Sequence, residues 1–369
     1  MTVNENIPLP VRENSSDGLC STGGASTHLM EEQVVDSVAK IVAQLRSSGI
    51  PFETDVDLSA HTYLRTGGLA KVIAFPRKTD DVVALFGMLS EAGLPYKVIG
   101  NTSNLLFKDD EDYTFLISVM KMDAISYDAA TGVFTAQSGV MMPELSRHAL
   151  SHDITGFEGL EGIPGTVGGG LFMNAGAYGY ELKDVLTSAE VVHPDGTVET
   201  LSTAQFALAH RTSILRKERA GSIVTTLYFK GKPGKAARIF SKMEVYHSKR
   251  HKYQDFMYPN LGSIFSGSPY RVLARRDRYY RMMSALYFLF RYKLKIFHRE
   301  SPINRRWLNA LAMQRFPMLN YPIQPFSDKT LNCLVNRGQG TEAMIKFIND
   351  LETLAQGEIP IENEIVEPF

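Results

Sequence analysis

With 369 residues, 44% of them hydrophobic, and a formal net charge of −1, the chain can bury more than one core but casts no global field toward nucleic acid or a membrane, so a charged partner must meet a local patch. Only Cys20 and Cys333 are present, too far apart in sequence for a zinc or redox motif, which fits a reducing compartment. No charged-then-apolar leader opens the chain and the longest strongly apolar run, Ser284 to Phe290, is too short to span a bilayer, so residence in the cytoplasm is expected.

Residues 1–26 are rich in Asn, Ser, Gly and Pro, the composition of a disordered tail. The helical spacing of Val34, Val35, Val38, Ile41, Val42 and Leu45 predicts an amphipathic helix from Met30 to Leu45. The strand pattern KVIAFP, a helix over Asp80 to Ala92, and the strand patterns YKVIG and FLISVM then follow, an α/β alternation. From Gly132 onward VFTAQSG, AEVVHPDG and GSIVTTLYF add short strands, and no internal repeat is evident.

The run Gly156 to Tyr180, GFEGLEGIPGTVGGGLFMNAGAYGY, breaks this series. Its glycines allow backbone N–H groups to surround an anion, and a diphosphate is the natural guest. It has neither the Gly-Lys-Ser/Thr ending of a P-loop nor the strand, Gly-x-Gly-x-x-Gly, helix order of a dinucleotide fingerprint. On composition alone a structural glycine loop fits as well. In Val98 to Asp109, VIGNTSNLLFKD, an apolar run stops at Gly100 and gives way to a polar turn.

Together with HTYLRTGGLAKVIAFP at His61 to Pro76, HRTSIL at His210 to Leu215, KRHKYQDFMYPNLGSIF at Lys249 to Phe265, LNCLVNRGQGT at Leu331 to Thr341 and IPIENEI at Ile359 to Ile365, these segments resemble the UDP-N-acetylenolpyruvoylglucosamine reductases, the MurB-like flavoenzymes, in order and spacing. The resemblance implies an α+β fold: a two-subdomain FAD-binding module of the vanillyl-alcohol-oxidase (PCMH) type over residues 27–231, then a C-terminal α+β substrate domain over 232–369 with a basic helical insert at 270–326. It implies a monomer that uses NADPH and FAD to reduce an enolpyruvyl UDP-sugar for peptidoglycan synthesis, with no nucleic acid partner. Around FAD it implies Gly100, Asn101, Ser103 and Asn104, then Ile163, Gly165, Val167, Gly168, Ala175 and Gly176, with Arg65 and Gly67 closing one side. Attachment is expected to be non-covalent, since no histidine lies within GNTSN or GIPGTVGGG.

By motif position, Arg211 would hold the substrate carboxylate, Ser263 would donate a proton, and Glu364, the second glutamate of the Glu-x-Glu pair, would stabilise the enol. A fixed cation and a hydrogen-bonding acid are what hydride addition to an unsaturated carboxylate requires. Taken singly, Arg211 is also an ordinary surface charge, Ser263 a turn residue and Glu364 one acid among Glu358, Glu362 and Glu367. The basic cluster at Lys249, Arg250, His251 and Lys252 reads equally as a grip on the UDP diphosphate or as a solvated helix end. His148 and His152 stand four apart without a companion carboxylate or cysteine, and no metal site is expected.

Departures lie on the substrate side. Ser266, Gly267 and Ser268 stand where the family usually has Lys-Asn-Pro, its GLKG stretch is absent, and Thr330 and Leu331 replace a common His-Ala pair. Two rival readings follow: a flavin oxidoreductase of the same fold acting on another nucleotide-linked sugar, or a non-catalytic flavin-binding docking protein. Between Arg271 and Arg299, Tyr279, Met283, Leu286, Phe290, Leu294 and Phe297 recur on one helical face, while Arg278, Arg281, Lys295 and Arg299 lie largely opposite and Phe288 and Tyr292 intrude. Packing of that face against the substrate domain is one expectation. A membrane surface or an acidic partner is the other.

Overall fold

A computed structural model describes the backbone of residues 23–294 and 304–369. Helix α1 (Gly23–Ser48) starts ahead of the expected Met30, so Gly23 to Ser26 are helical rather than part of a tail; the rest of that expected tail lies outside the described residues. Leu29, Met30, Glu31 and Glu32 are strong helix formers that carry the period toward the N-terminus.

The first subdomain holds β1 (Phe52–Asp57), the single turn α2 (Leu58–His61), β2 (Leu69–Ala74), α3 (Thr79–Ala92), β3 (Lys97–Ile99), β4 (Leu105–Phe107) and β5 (Tyr113–Ser118). Its sheet runs β1-β2-β5-β3, with β1 antiparallel and the others parallel. Helix α3 covers one face with Val82, Leu85, Phe86 and Leu89, and Ile41 and Leu45 of α1 join the same core. Each such side chain, fully buried, stabilises by about 1.5–3 kcal/mol. Gly93, at φ 63°, ends α3 in the left-handed conformation and turns the chain into β3.

The second subdomain contains β6 (Ile125–Asp128), β7 (Val133–Gln137), α4 (Met142–Ser151), β8 (Ile154–Thr155), α5 (Val167–Met173), β9 (Gly176–Ala177), β10 (Tyr180–Glu181), β11 (Leu186–Val192), β12 (Val198–Ser202) and β13 (Ile223–Lys230). Five of these strands form an antiparallel sheet, β12-β11-β13-β7-β6. Its inward residues Phe134, Ala136, Leu227 and Phe229 meet Leu145 of α4 and Leu171 of α5. The α/β alternation read from the sequence therefore holds only for the first sheet, and the whole is α+β.

Beyond β13 come β14 (Lys232–Pro233), α6 (Ala236–Tyr253), β15 (Asn260–Ser263), α7 (Pro269–Arg276), α8 (Arg278–Phe288), α9 (Arg306–Arg315), β16 (Phe326–Ser327), β17 (Thr330–Val335), α10 (Thr341–Ala355) and β18 (Glu364–Val366). The chain does not change company at Lys232: β14 pairs with β8 and α6 lies against α4 and β8. A new core begins with the sheet β15-β17-β16 and includes Tyr270, Leu273, Tyr280, Leu308, Phe316 and Phe347. The described parts of the segment 270–326 are thus integral to this core. The Tyr270 hydroxyl donates to Asn309 Oδ1 (2.8 Å) and accepts from the Leu331 N–H (2.9 Å).

The helix expected across Arg271 to Arg299 breaks at Asp277, and it turns inward a different face from the one the spacing suggested. Tyr280 and Ser284 are buried and Met283, Tyr287 and Phe288 half-buried, whereas Tyr279, Met282, Leu286, Leu289, Phe290 and Leu294 are exposed. The Asp277 carboxylate sets this rotation: it caps α8 by accepting from the Tyr280 N–H (2.6 Å) and also binds Arg315 of α9, which swings the Tyr280 ring onto Phe316. Phe297, Lys295 and Arg299 lie outside the described residues.

The C-terminus returns to the first subdomain. β18 runs parallel to β4, pairing Glu364 with Leu105 and Val366 with Phe107, and among the described residues no helix is long and apolar enough to cross a membrane.

Candidate active site

A cavity of about 970 Å³ opens where both subdomains and the C-terminal core meet. Two turns form one wall. At Asn101 to Asn104, four successive backbone N–H groups have no acceptor among the described residues, and Thr102 takes φ 51°, a local geometry that gathers N–H groups into an anion-binding concavity. The glycine segment faces it, joined by a hydrogen bond from Asn101 Nδ2 to Pro164 O (3.2 Å).

The glycines are needed for this approach. A Cβ on Gly100 would stand 2.6 Å from Thr166 Oγ1, and one on Gly168 would stand 2.7 Å from Ser138 Cβ. Thr166 itself is held because its hydroxyl accepts from the Gly169 N–H (3.2 Å) as the N-cap of α5, an interaction worth about 1 kcal/mol. The narrow donor-lined gap suits the diphosphate of FAD, with Ile99, Val119 and Leu215 supplying apolar wall.

Gly100, Asn101, Ser103, Asn104, Ile163, Gly165, Gly168, Ala175 and Gly176 all line this cavity, as do Arg211, Ser263 and Glu364. Val167 does not; it is fully buried in the core beneath. Arg65 and Gly67 are also off the cavity wall. The Arg65 carbonyl accepts from Asn336 Nδ2 (2.9 Å) and the Gly67 N–H donates to Asp109 Oδ1 (2.9 Å), so both tie the α2 turn to the C-terminal core and to the loop after β4.

Ser263 ends β15 beside Gly262, whose φ of 67° turns the strand. It is exposed, and its hydroxyl has no hydrogen-bond partner among the described residues. Arg211 sits in the left-handed region at φ 55° and its Nη2 lies 3.0 Å from Glu362 Oε2. Glu364 instead pairs with Lys97 of β3. The tail is stitched in by Asn104, whose Nδ2 donates to Glu362 O (2.8 Å) and whose carbonyl accepts from the Glu364 N–H (3.0 Å). Asn363 Nδ2 donates in turn to Asn104 Oδ1 (3.0 Å) and Leu261 O (3.3 Å), linking the flavin turn, the tail and the serine strand.

Glu362, Lys97 and Arg305 also line the cavity and were not singled out in the sequence. For Glu362 the signal was present, as the first glutamate of the Glu-x-Glu pair; for Arg305, just ahead of α9 and without a motif, there was none. The basic cluster divides. Arg250 is buried, donates from Nε to Glu161 O (2.9 Å) and from Nη2 to Gly159 O (3.2 Å), and lies under the Tyr178 ring, so it braces the glycine segment while touching the cavity. Lys249 stacks its ammonium over Tyr178 and Tyr246 off the cavity wall. His148 and His152 pack with Phe134 and Tyr127, also away from the cavity.

Cys333, opposite Ser263 across β15 and β17, reaches the same wall but is only 3% exposed. Burial, helped by the Asp255 carboxylate, pushes its thiol up to about 12. Its thiolate fraction in mildly alkaline buffer is then about a thousandfold below that of an ordinary cysteine. Iodoacetamide is expected to modify Cys333 that much more slowly in the folded chain than in urea, read by peptide mass mapping; equal rates would mean that the thiol is open to solvent.

A model of the FAD binding domain matches residues 70–202. Over 222 residues the chain is 35% identical to the UDP-N-acetylenolpyruvoylglucosamine reductase of Streptococcus suis, covering 60% of this chain and 72% of that one. It is 39% identical over 216 residues to that of Latilactobacillus sakei, covering 58% and 70%. The crystal structure of the UDP-N-acetylenolpyruvylglucosamine reductase (MurB) from Thermus caldophilus superposes with a TM-score of 0.60 at 22% identity, over 86% of this chain and 99% of that one, a likeness of fold. On these sequence relationships, the chain belongs to the UDP-N-acetylenolpyruvoylglucosamine reductase family.

Proposed function

We propose that this chain is an FAD-dependent reductase that uses NADPH to convert enolpyruvyl-UDP-N-acetylglucosamine to UDP-N-acetylmuramate in the cytoplasm, for peptidoglycan precursor synthesis. The observation that carries this reading is the convergence on one cavity of the open N–H groups of Asn101 to Asn104 with Arg211, Ser263 and Glu364. Bound FAD would supply the hydride acceptor for NADPH and the hydride donor for the vinyl carbon. The protein's part is positioning and charge. Arg211 presents a guanidinium to the substrate carboxylate while one of its nitrogens is fixed by Glu362, so the fork is oriented before substrate arrives. As hydride adds, negative charge spreads into that carboxylate, where the Arg211 cation stabilises it directly, and Glu364 contributes as a protonated acid that leaves Lys97 and donates a hydrogen bond to the enol oxygen. Ser263 then gives its proton to the other carbon. Serine is a very weak acid, so this step relies on a strongly basic carbanion and enforced geometry.

The purified protein is expected to be yellow, to bleach anaerobically with NADPH, and to regain its colour on addition of enolpyruvyl-UDP-N-acetylglucosamine. Failure of that substrate to reoxidise it, with oxygen still effective, would remove this assignment. A second reading, reduction of another nucleotide-linked sugar, is favoured by the rebuilt Ser266-Gly267-Ser268 segment. There Gly267 packs so closely that a Cβ would stand 2.3 Å from Ile359 Cγ2, leaving no lysine or asparagine handle. Reoxidation by a different UDP-sugar in the same assay would select it.

A further inference from the structure

We propose that the outer face of α8, with the π-helical turn Leu289–Lys293 that continues it, docks the protein onto an anionic lipid bilayer surface. Met282, Leu286, Leu289 and Leu294 form an exposed apolar strip, Met282 and Leu294 at 53% and 52%. Arg278 and Arg281 flank the strip on one side and Lys293 lies within the same outward arc. All three are exposed, and none forms an ion pair among the described residues.

Charge is one-sided. No aspartate or glutamate occurs from Arg278 to Arg299, whereas Arg278, Arg281, Arg291, Lys293, Lys295 and Arg299 do. Asp277, which precedes the stretch, is already occupied by Arg315 and the helix cap, and Glu300 follows it. Arg278 and Arg281, without an ion pair among the described residues, beside long flexible aliphatic side chains on a convex helical surface match the interfacial helix of a peripheral membrane protein, in which the apolar strip enters the headgroup boundary and the cations meet lipid phosphates. A folded protein partner would need a groove shaped to this convex strip. A fluid bilayer does not. The buried side of the same helix is fixed to the core by Tyr280 and Ser284, so docking requires no unfolding.

The test is flotation of the intact, FAD-loaded protein with vesicles of phosphatidylcholine alone and of phosphatidylcholine mixed with phosphatidylglycerol. Binding to the anionic vesicles is expected to exceed that to neutral ones by at least about tenfold at low salt and to fall steeply as salt shortens the screening length. The double substitution Arg278→Glu and Arg281→Glu, and separately Leu286→Asp, should each abolish flotation while flavin content and NADPH oxidation stay unchanged, since these side chains are exposed and off the cavity. Absence of flotation with anionic vesicles at low salt overturns the proposal, as does flotation that survives both variants. A two-chain mass by light scattering that Leu286→Asp reduces to one chain, with no vesicle binding, would assign the face to self-association. Binding to polyglutamate with no vesicle binding would assign it to an acidic polypeptide.

Discussion

Replacing Ser263 by alanine is expected to leave anaerobic reduction of the flavin by NADPH nearly unchanged while slowing reoxidation by the enolpyruvyl substrate by about thousandfold, within the range attributed to a positioned proton donor. At about 1.4 kcal/mol per tenfold, that is roughly 4 kcal/mol withdrawn from one transition state. The separation follows from position. Ser263 is exposed at the end of an edge strand, and its hydroxyl has no partner among the described residues, so its removal leaves no buried group unsatisfied and should move the melting temperature little. Stopped-flow measurement of the two half-reactions decides the matter. Equal loss in both would mean that the substitution had damaged the flavin site, and unchanged reoxidation would remove Ser263 as the proton donor.

What was legible in the sequence was what the backbone makes compulsory. Gly100 and Gly168 sit where any side chain would collide, and Asn104 closes a turn whose N–H groups are open, so these motifs can be read one at a time. Pairings across the chain could not be read that way. Arg211 meets Glu362, and Lys97 meets Glu364, because β18 lies down beside β4, and no local pattern reports a strand added from the far end. The same limit explains α8. Apolar residues occur on both of its faces, and the choice between them rests on Asp277 binding Arg315 from a helix further along the chain. In the Lys249 to Lys252 cluster, local charge density concealed that Arg250 points inward to the carbonyls of Gly159 and Glu161. A run of basic letters does not say which member is buried.

Arg211→Gly offers the sharpest separation of function from stability. A non-glycine residue at φ 55° is held in a conformation that costs of order 1–3 kcal/mol unless its surroundings impose it, and such strain at a cavity-lining residue is a sign of a side chain kept for what it binds. Glycine adopts this conformation without steric cost. The substitution also forfeits the pair with Glu362; Arg211 is about one-third exposed but the Glu362 side chain only 10%, so the carboxylate left without its partner costs about 1–3 kcal/mol. The two contributions are of similar size and opposite sign, so the melting temperature should change little. Reoxidation by substrate should nonetheless fall by at least about hundredfold, because the substrate carboxylate loses its fixed cation. Arg211→Lys should keep the strain and the charge yet lose the planar two-pronged contact, giving a variant no more stable than the parent and intermediate in rate. A glycine variant that reoxidises at the parent rate would show that another cation holds the carboxylate. One that loses several degrees of melting temperature would show that the Glu362 pair, and not the grip on substrate, is what keeps Arg211 in its strained conformation.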